Sequence, residues 1–244
     1  MRRFGLVGKT LLYSFSKTYF AEKFSNENIA GCSYQNFELP SIQDIDHLLD
    51  QYPDLQGFNI TIPYKEAVLP FLYYQNEIVK AIGACNCVKI IDGQFYGYNT
   101  DVIGFQNALQ PHLQSHHTRA LILGWGGAAK AVEYVLASLG IAYQIVSRKK
   151  LEGTIGYDDL NKALLEEHTI LINTTPLGTF PNVEEAPDIS YQFLSNRHLL
   201  FDLVYNPSQT RFLQLGAQQG AQTSNGYKML IGQAEESWRI WNAD

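Results

Sequence analysis

The stretch TRALILGWGGAAKAVEYVLASLG, Thr118–Gly140, decides the fold of this chain. Ala120–Leu123 is an apolar run of strand length. After a cluster of glycines, Ala128–Leu139 carries apolar residues at the spacing of a helix. Gly140 then stands where a glycine commonly ends a helix. The stretch therefore predicts a β-strand, a tight glycine-rich loop and an α-helix in succession.

The glycine cluster matches the pattern G-x-G-x-x-A through Gly124, Gly126 and Ala129, with Trp125 at a position that usually carries a small residue. The first glycine of such a pattern permits the tight turn, and the second lets the backbone approach a pyrophosphate. The small third residue lets the helix pack on the strand. The N–H groups at the start of the helix favour an anion. We interpret the loop as a dinucleotide site, and the alternative is a turn with a purely structural role.

The residues after the next strand indicate which nucleotide binds. Ala142–Val146 is followed by Ser147-Arg148-Lys149-Lys150. No Asp or Glu stands at this point, about 20 residues beyond the glycines, where a carboxylate would hold the ribose 2′-hydroxyl of NAD. Three consecutive cations suit a 2′-phosphate, and Arg148 can form forked charge-assisted hydrogen bonds. The pattern predicts NADP, and a solvated basic turn is the alternative interpretation.

Composition excludes several classes of protein. The 244 residues carry a formal net charge of −6 and no long basic stripe, so neither nucleic acid nor an anionic membrane is an expected partner. There is no run of about 18 apolar residues and no full signal-peptide pattern, so we expect a soluble cytoplasmic protein of two domains. Cys32, Cys85 and Cys87 match no zinc spacing, so we expect reduced thiols and no metal. His116-His117 has the character of a solvated linker.

Polar residues near the N-terminus suggest a second site. Ser14 and Ser16 follow the predicted strand Arg3–Val7 and precede a helix. Helix capping is the interpretation that their local sequence favours, because serine is a common N-cap. The alternative is that two hydroxyls and a helix N-terminus together bind a carboxylate.

A further group follows the predicted strand Leu55–Ile60. Alternation along the strand places Asn59 and Thr61 on the same face. Lys65 comes next, at the start of a helix opened by Pro63, where the helix dipole disfavours a cation. This placement is a small indication of function, since most surface lysines have none.

Two other strand ends carry polar residues. Asp92-Gly93 between strand-like runs predicts a hairpin, and its second arm leads into Asn99-Thr100-Asp101 before a predicted helix, Ile103–Leu113. Asp101 is equally well interpreted as the helix cap or as a catalytic residue. The loop Asn173–Gly178, which contains Thr175, follows a predicted strand of the nucleotide domain, where ligands usually contact such a sheet. One helix, Asp158–Glu167, is the only crossover predicted between the second and third strands there.

Six blocks of residues, in order along nearly the whole chain, make it resemble the shikimate dehydrogenase family. The blocks are Ser14-x-Ser16, Asn59-x-Thr61-x-Pro63-x-Lys65, Gly83-Ala84-x-Asn86, Asn99-Thr100-Asp101-x-x-Gly104-Phe105, Gly124–Ala128 and Gly226-x-x-Met229-Leu230-x-x-Gln233. Each block is modest alone, but the ordered set is specific.

The resemblance implies an α/β fold. It has an N-terminal α/β substrate domain (residues 1–101, rejoined by 226–244) and a Rossmann-type, doubly wound NADP-binding domain (residues 102–225). The C-terminal helix returns to the first domain, and the active site lies between the two. A monomer is the implied oligomeric state. The departures from the family pattern include Lys17, Cys85, Cys87 and Trp125, and the missing second crossover helix bears on the adenosine end of the cofactor.

The resemblance also implies the roles of individual residues. Ser14 and Ser16 would hold the substrate carboxylate, and Lys65 and Asp101 would form the catalytic pair. The other substrate-binding residues would be Asn59, Thr61, Asn86, Tyr205 and Gln233. The cofactor-binding residues would be Gly124, Gly126, Gly127, Ala128, Ser147, Arg148, Lys149, Thr175, Leu203 and Gly226.

The implied reaction is the reversible reduction of 3-dehydroshikimate to shikimate with NADPH, in the pathway to chorismate and the aromatic amino acids. Protonated Lys65 would donate to the ketone oxygen, and Asp101 would favour the charged lysine. Reduction should therefore dominate at neutral pH and oxidation should accelerate in alkali. The alternatives are a quinate/shikimate dehydrogenase with relaxed cofactor use and a non-catalytic nucleotide-binding relative.

Overall fold

A computed structural model describes residues 1–11, 14–149 and 151–243, and these form two compact units. The first unit comprises residues 1–100 and 234–244, and the second comprises residues 101–233. Residues 226–233 were predicted to belong to the first domain, but their contacts place them in the second unit. The functional boundaries 1–101, 102–225 and 226–244 stay a prediction.

The first unit is built on a mixed six-stranded sheet with the order β2-β1-β3-β5-β6-β4. Its strands are β1 (Arg2–Gly8), β2 (Cys32–Glu38), β3 (Leu55–Ile60), β4 (Tyr74–Gln75), β5 (Cys87–Ile91) and β6 (Gln94–Tyr98). β1 pairs in parallel with β2 and β3, whereas β5 pairs antiparallel with β3 and β6. The predicted hairpin is confirmed: Asp92 and Gly93 both have positive φ, at 50° and 74°, as its two-residue turn requires.

Helices connect these strands and cover both faces of the sheet. They are α1 (Phe15–Asn26), α2 (His47–Gln51), α3 (Tyr64–Ala67) and α4 (Glu77–Ile82). Along β1, Phe4 belongs to one apolar cluster and Val7 to another, because successive side chains point to opposite faces. Phe4 stacks on Trp241 with ring centroids 4.8 Å apart, so the end of the chain is anchored in this core.

The second unit contains a six-stranded sheet that is parallel throughout, with the order β12-β11-β10-β7-β8-β9. Its strands are β7 (Arg119–Leu123), β8 (Ala142–Val146), β9 (Thr154–Ile155), β10 (Ile170–Asn173), β11 (Leu199–Asp202) and β12 (Gln222–Ser224). Numbered within the unit, the order is 3-2-1-4-5-6, which is that of a doubly wound dinucleotide fold. The predicted fold class is confirmed.

The helices of this unit include α6 (Gly127–Ser138), α7 (Lys162–Glu167) and α8 (Arg211–Gln218). Two more helices, α5 (Thr100–Leu109) and α9 (Tyr227–Asn242), begin or end in the first unit. The C-terminal part of α9 packs with Phe4 and Phe20 of the first unit, as the return of the last helix predicted. The central strands β10 and β11 are wholly buried, and β7 is buried apart from Arg119. Leu121, Leu171 and Leu200 of these strands belong to one apolar core.

Several local predictions are wrong, and each has a physical reason. The predicted helix Ile103–Leu113 begins at Thr100 and ends at Leu109, because Pro111 has no N–H to donate and disfavours the α conformation before it. The segment predicted as one crossover helix, Asp158–Glu167, contains a 3-10 turn followed by α7, because Asn161 is extended and caps a new helix by accepting from the Leu164 N–H at 3.0 Å. His117 is 5 % exposed and its Nδ1 accepts from the Gln114 N–H at 3.0 Å, so it is a structural residue rather than a solvated one.

Two structural features are absent from the described residues. No helix there has both the length and the apolar character that crossing a bilayer requires. Within residues 1–11, 14–149 and 151–243, no three His, Cys, Asp or Glu side chains are grouped so that they could hold a metal ion.

Candidate active site

The glycine loop lies where the strand order of the second sheet reverses, between β7 and β10. Open α/β sheets bind their ligands at this point. Gly124 directly follows β7 and has φ of +104°, and a Cβ built there would lie 2.6 Å from Cγ2 of Thr175, which follows β10. The Thr174 hydroxyl donates to the carbonyls of Leu123 at 3.0 Å and Gly124 at 3.1 Å. The two loops therefore pack against each other, and position 124 has room only for glycine.

The next residues of the loop open toward solvent. A Cβ at Gly126 or Gly127 would meet nothing within 4 Å, and Gly126 is the N-cap of α6. The backbone N–H groups of the first turn, which includes Ala128, are thus accessible to an anion, as a pyrophosphate requires. Trp125 is exposed over 45 % of its surface. This arrangement fits a dinucleotide.

The basic residues lie beside this loop, at the end of β8. The Gly124 N–H donates to the Val146 carbonyl at 2.8 Å, which ties the glycine turn to the strand that ends at Ser147. Ser147 is buried and its hydroxyl accepts from the Lys149 N–H at 3.3 Å, whereas Arg148 and Lys149 are exposed. Lys150, the third cation of the predicted run, lies outside the described residues. The exposure of Arg148 and Lys149 leaves both residues accessible to a phosphate.

Leu203 and Gly226 are also brought together in the second unit. A Cβ at Gly226 would overlap the carbonyl of Leu203, and the Gly226 N–H donates to the Val204 carbonyl at 3.2 Å. Gly226 therefore allows close approach of two backbone segments just beyond the end of β11.

A buried carboxylate that the sequence did not single out lies at the ends of β10 and β11. Asp202 has no exposed surface, and its Oδ1 accepts from Asn173 Nδ2 at 2.9 Å and from the Val204 N–H at 3.0 Å. Its Oδ2 accepts from the Thr210 hydroxyl at 2.5 Å. Burial raises the pKa of the Asp202 carboxyl to about 6, although these three hydrogen bonds lower it. Tyr191 faces this charge, and the pKa of its phenol is raised by burial and then by Asp202.

The raised pKa of Asp202 predicts how stability changes with pH. Between the ordinary carboxyl value and about 6 the folded protein binds more protons than the unfolded one, so this group's contribution to stability falls as the pH rises. Asp202→Asn stays neutral, so it should unfold at higher urea concentration than wild type at pH 8, and the difference should be clearly smaller at pH 5, which lies between the unfolded and folded pKa values of Asp202. The exposed Asp50→Asn serves as the control. An Asp202→Asn difference that is the same at both pH values would contradict the prediction.

In the first unit, three of the predicted substrate residues belong to one buried hydrogen-bonded network. Tyr34 is hydrogen-bonded to Ser16 and donates to Asn59 Oδ1 at 3.0 Å. Asn59 Nδ2 donates to the Asn86 carbonyl at 3.2 Å and to Ser237 Oγ at 2.7 Å. Both amide hydrogens of Asn59 are therefore used within the protein, and the side chain is held in one orientation.

The network continues from Asn86 into α5. The Thr100 N–H donates to Asn86 Oδ1 at 2.6 Å, and Asn86 Nδ2 donates to Thr100 Oγ1 at 3.1 Å. The Thr100 and Ser237 hydroxyls are 3.2 Å apart and hydrogen-bonded, which closes the network on α9. The network thereby fixes side chains of six segments relative to one another, and these are α1, β2, β3, the residue before β5, α5 and α9.

The other predicted residues of the first unit lie at element ends. Ser14 is the N-cap of α1, and its Oγ accepts from the Lys17 N–H at 3.2 Å, so the capping interpretation holds for this serine. Thr61 follows β3, and its N–H donates to the Val7 carbonyl at 3.0 Å. Lys65 is half-buried in α3, and its carbonyl accepts from the Cys85 N–H at 2.8 Å, which ties this short helix to the segment before Asn86.

The remaining predicted residues belong to the second unit. Asp101 is half-buried in the first turn of α5, which begins at Thr100, so the prediction that Asp101 could be the helix cap is wrong. Gln233 is buried on α9 and its Nε2 donates to the Leu230 carbonyl at 3.0 Å. Tyr205 is 39 % exposed just beyond β11, and partial burial raises the pKa of its phenol.

The sequence assigned no role to the residues that hold these side chains in place. In the first unit they are Tyr34, Thr100 and Ser237, and in the second they are Asn173, Asp202 and Thr210. Ser237 had a signal, because it lies four residues after Gln233 and so on the same helix face. Asp202 also had a sequence signal, because it is a charged residue that directly follows the apolar run Leu199–Phe201.

The first-unit network predicts a clear effect on stability. Tyr34→Phe removes the donor to Asn59 Oδ1 and leaves a buried acceptor unpaired, so the free energy of unfolding should fall by about 1–3 kcal/mol. Tyr143→Phe is the matched control, because the Tyr143 hydroxyl meets Glu133 at 3.4 Å on the surface, and it should change stability by less than about 0.5 kcal/mol. Urea unfolding measures both, and equal losses would contradict the predicted contribution of the buried hydrogen bond.

The chain is similar to known proteins along nearly its whole length. A family model described as the shikimate dehydrogenase substrate binding domain matches residues 6–88. A curated relative from Caldicellulosiruptor saccharolyticus, "Shikimate dehydrogenase (NADP(+))", is 36 % identical over 99 % of this chain and 92 % of its own length.

The chain is also similar to solved structures of shikimate dehydrogenases. Shikimate dehydrogenase 1 from Peptoclostridium difficile has a TM-score of 0.83 at 36 % identity, covering 99 % of this chain and 91 % of that one. Shikimate 5-dehydrogenase from Thermus thermophilus, solved in complex with NADP(H) and shikimate, has a TM-score of 0.87 at 27 % identity, covering 99 % of this chain and 94 % of that one.

Proposed function

The chain belongs to the shikimate dehydrogenase family, as the sequence resemblance predicted, and from this premise we propose its function. It is an NADP-dependent oxidoreductase of the shikimate pathway. The finer proposal is that it reversibly reduces 3-dehydroshikimate to shikimate with NADPH. The observation that carries the proposal is the 36 % identity to an NADP(+) shikimate dehydrogenase along 99 % of the chain.

NADP(H) would be held at the switch point of the second sheet. Gly124, Gly126, Gly127 and Ala128 would hold the pyrophosphate, and Ser147, Arg148 and Lys149 the 2′-phosphate. Thr175, Leu203 and Gly226 would contact the rest of the cofactor. When bound, the reduced cofactor supplies a hydride to the ketone carbon of the substrate. The open space at Gly126 and Gly127 and the exposure of Arg148 and Lys149 support this assignment.

The substrate would be held mainly by residues of the first unit. Ser14 and Ser16 at the N-terminus of α1 would bind the carboxylate, where the helix dipole favours an anion. Hydroxyl groups of the ring would bind Thr61, Asn86, Asp101 and Gln233, with Asn59 and Tyr205 lining the same pocket. The hydrogen-bonded network through Ser16, Asn59 and Asn86 supports the proposal, because it fixes three of these side chains before substrate binds.

Lys65 and Asp101 are proposed as the catalytic pair. Negative charge builds on the ketone oxygen during reduction, and the Lys65 ammonium would hydrogen-bond this oxygen and give it a proton. Asp101 would favour the charged form of Lys65 and direct it. Oxidation of shikimate needs neutral Lys65, so its rate should rise in alkali, whereas a flat pH profile for oxidation would count against Lys65.

The proposal extends to organisation and environment. The substrate domain would comprise residues 1–101 and 226–244, and the NADP domain residues 102–225. We propose that the protein acts as a cytoplasmic monomer with neither nucleic acid nor membrane as a partner. Light scattering on the purified protein tests the monomer.

A panel of substrates and cofactors tests the activity. Protein is mixed with NADPH and 3-dehydroshikimate, and the loss of reduced-nicotinamide absorbance is followed. Parallel reactions use NADH, and shikimate or quinate in the reverse direction. Turnover with NADPH and 3-dehydroshikimate well above that with NADH supports the proposal. Faster turnover of quinate would favour the quinate/shikimate alternative, and no turnover of any pair would favour a nucleotide-binding protein without activity.

A further inference from the structure

Asp202 is a buried charge whose contacts lead toward the cofactor loop. Its three hydrogen-bond partners, Asn173, Val204 and Thr210, are all neutral groups, and it ends β11 next to β10. A carboxylate removed from water in this way carries a cost in stability. The proposed chemistry does not use Asp202, yet its side chain joins residues that follow β10 to residues that follow β11.

The contacts of Asn173 supply the first step of that role. Asn173 Nδ2 donates to Asp202 Oδ1, which turns Asn173 Oδ1 toward the next loop. That oxygen accepts from the Thr175 N–H at 3.0 Å and from the Thr175 hydroxyl at 2.6 Å. An amide flipped by 180° would present Oδ1 to the Asp202 carboxylate, an acceptor facing an acceptor, and Nδ2 to the Thr175 N–H, a donor facing a donor. Asp202 therefore selects the orientation of Asn173 that holds Thr175.

Thr175 in turn limits the space around the first glycine of the nucleotide loop. Its Cγ2 is the nearest atom to the Cβ position of Gly124, and the neighbouring Thr174 hydroxyl is bonded to the Gly124 carbonyl. The same Asp202 oxygen accepts from the Val204 N–H, and the Val204 carbonyl accepts from Gly226. One carboxylate thus fixes the residues that follow both β10 and β11.

We propose that Asp202 is a positioning residue for the dinucleotide: through Asn173 it places Thr175 against Gly124, and through Val204 it places the backbone beside Gly226. It does not touch the cofactor itself. The inference rests on the proposed function, since it takes the ligand at the switch point to be NADP(H). Its effect should appear in cofactor affinity, because misplaced loop residues lose contacts that a bound nucleotide needs.

The test measures the dissociation constant of NADP+ by calorimetry, together with urea unfolding, for wild type and five variants. Asp202→Ala should weaken NADP+ binding about tenfold or more, since it frees Asn173 and Val204 together. Asp202→Asn should bind within about threefold of wild type, because its amide can accept from Asn173 and Val204 and donate to Thr210. Asn173→Ala should weaken binding less than Asp202→Ala does, because the contact of Asp202 with the Val204 N–H persists. The double variant should be little weaker than Asp202→Ala, since the two residues act in one relay.

His198→Ala is the control for general destabilisation. His198 is buried at the other end of β11, where its ring bonds the Ser195 N–H and the Leu165 carbonyl, so its loss should lower stability and leave NADP+ affinity within about twofold.

The inference would be overturned if Asp202→Ala bound NADP+ as tightly as wild type. If Asp202→Ala fails to fold, wild-type NADP+ affinity in Asn173→Ala would overturn it instead. So would an equal loss of affinity in His198→Ala. A wild-type protein that does not bind NADP+ would instead overturn the proposed function.

Discussion

Replacing Lys65 with methionine should lower the turnover of 3-dehydroshikimate by about 100- to 10,000-fold, the range that a positioned general acid contributes. Methionine keeps a long unbranched side chain and removes only the ammonium. The backbone of Lys65 is held independently of its charge, since its carbonyl accepts from the Cys85 N–H. The helix should therefore persist, and the loss should fall on kcat rather than on KM for the cofactor. Steady-state rates with NADPH measure it.

Lys80→Met is the matched control for this experiment. Lys80 is an exposed lysine of the same unit that pairs with Glu77 three residues earlier on α4, and such surface pairs contribute little to stability. Its substitution should leave turnover within about twofold of wild type. A Lys65→Met protein as active as wild type would remove Lys65 as proton donor and leave membership of the family intact.

The parts of the fold that the sequence predicted are those with a long local signal. Thr118–Gly140 contains a strand, a glycine-rich loop and an amphipathic helix, and β7 and α6 lie within one residue of the predicted bounds. β4 and β9 are two residues long, which is too short for any periodicity to register. Each exists because a neighbouring strand offers a free edge, which is a tertiary effect.

The site was predicted less completely for a similar reason. Lys65, Asp101 and the glycines stand in sequence blocks that can be compared with the family pattern. Their roles remain predictions. Tyr34 and Ser237 lie near opposite ends of the sequence, yet both bond Asn59. No local pattern reports such a contact, because it depends on which faces of β2, β3 and α9 meet. The supporting residues of a site are therefore the part that needs coordinates.

Cofactor preference gives the second large effect. Replacing Arg148 and Lys149 together with alanine should raise KM for NADPH roughly 100-fold or more, because each charge-assisted hydrogen bond to a phosphate contributes about 1.5–3 kcal/mol and the double substitution removes two cations. KM for NADH should change little, since that cofactor has no 2′-phosphate. Ser147, which is buried and hydrogen-bonded to the Lys149 N–H, is left in place so that the turn persists. Initial rates with each cofactor measure the change in preference.

Arg119→Ala separates this local effect from the general field of the protein. Arg119 lies in the same unit at the opposite end of β7, where it pairs with Glu167 at 3.2 Å. Its removal changes the net charge by one unit far from the glycine loop along the strand, and the potential of an exposed charge is screened within about 10 Å at ordinary salt. The Arg119→Ala variant should therefore have the same ratio of kcat/KM for NADPH to kcat/KM for NADH as wild type. If Arg119→Ala shifts the ratio as much as the double substitution does, the 2′-phosphate is attracted by overall charge and not held by Arg148 and Lys149.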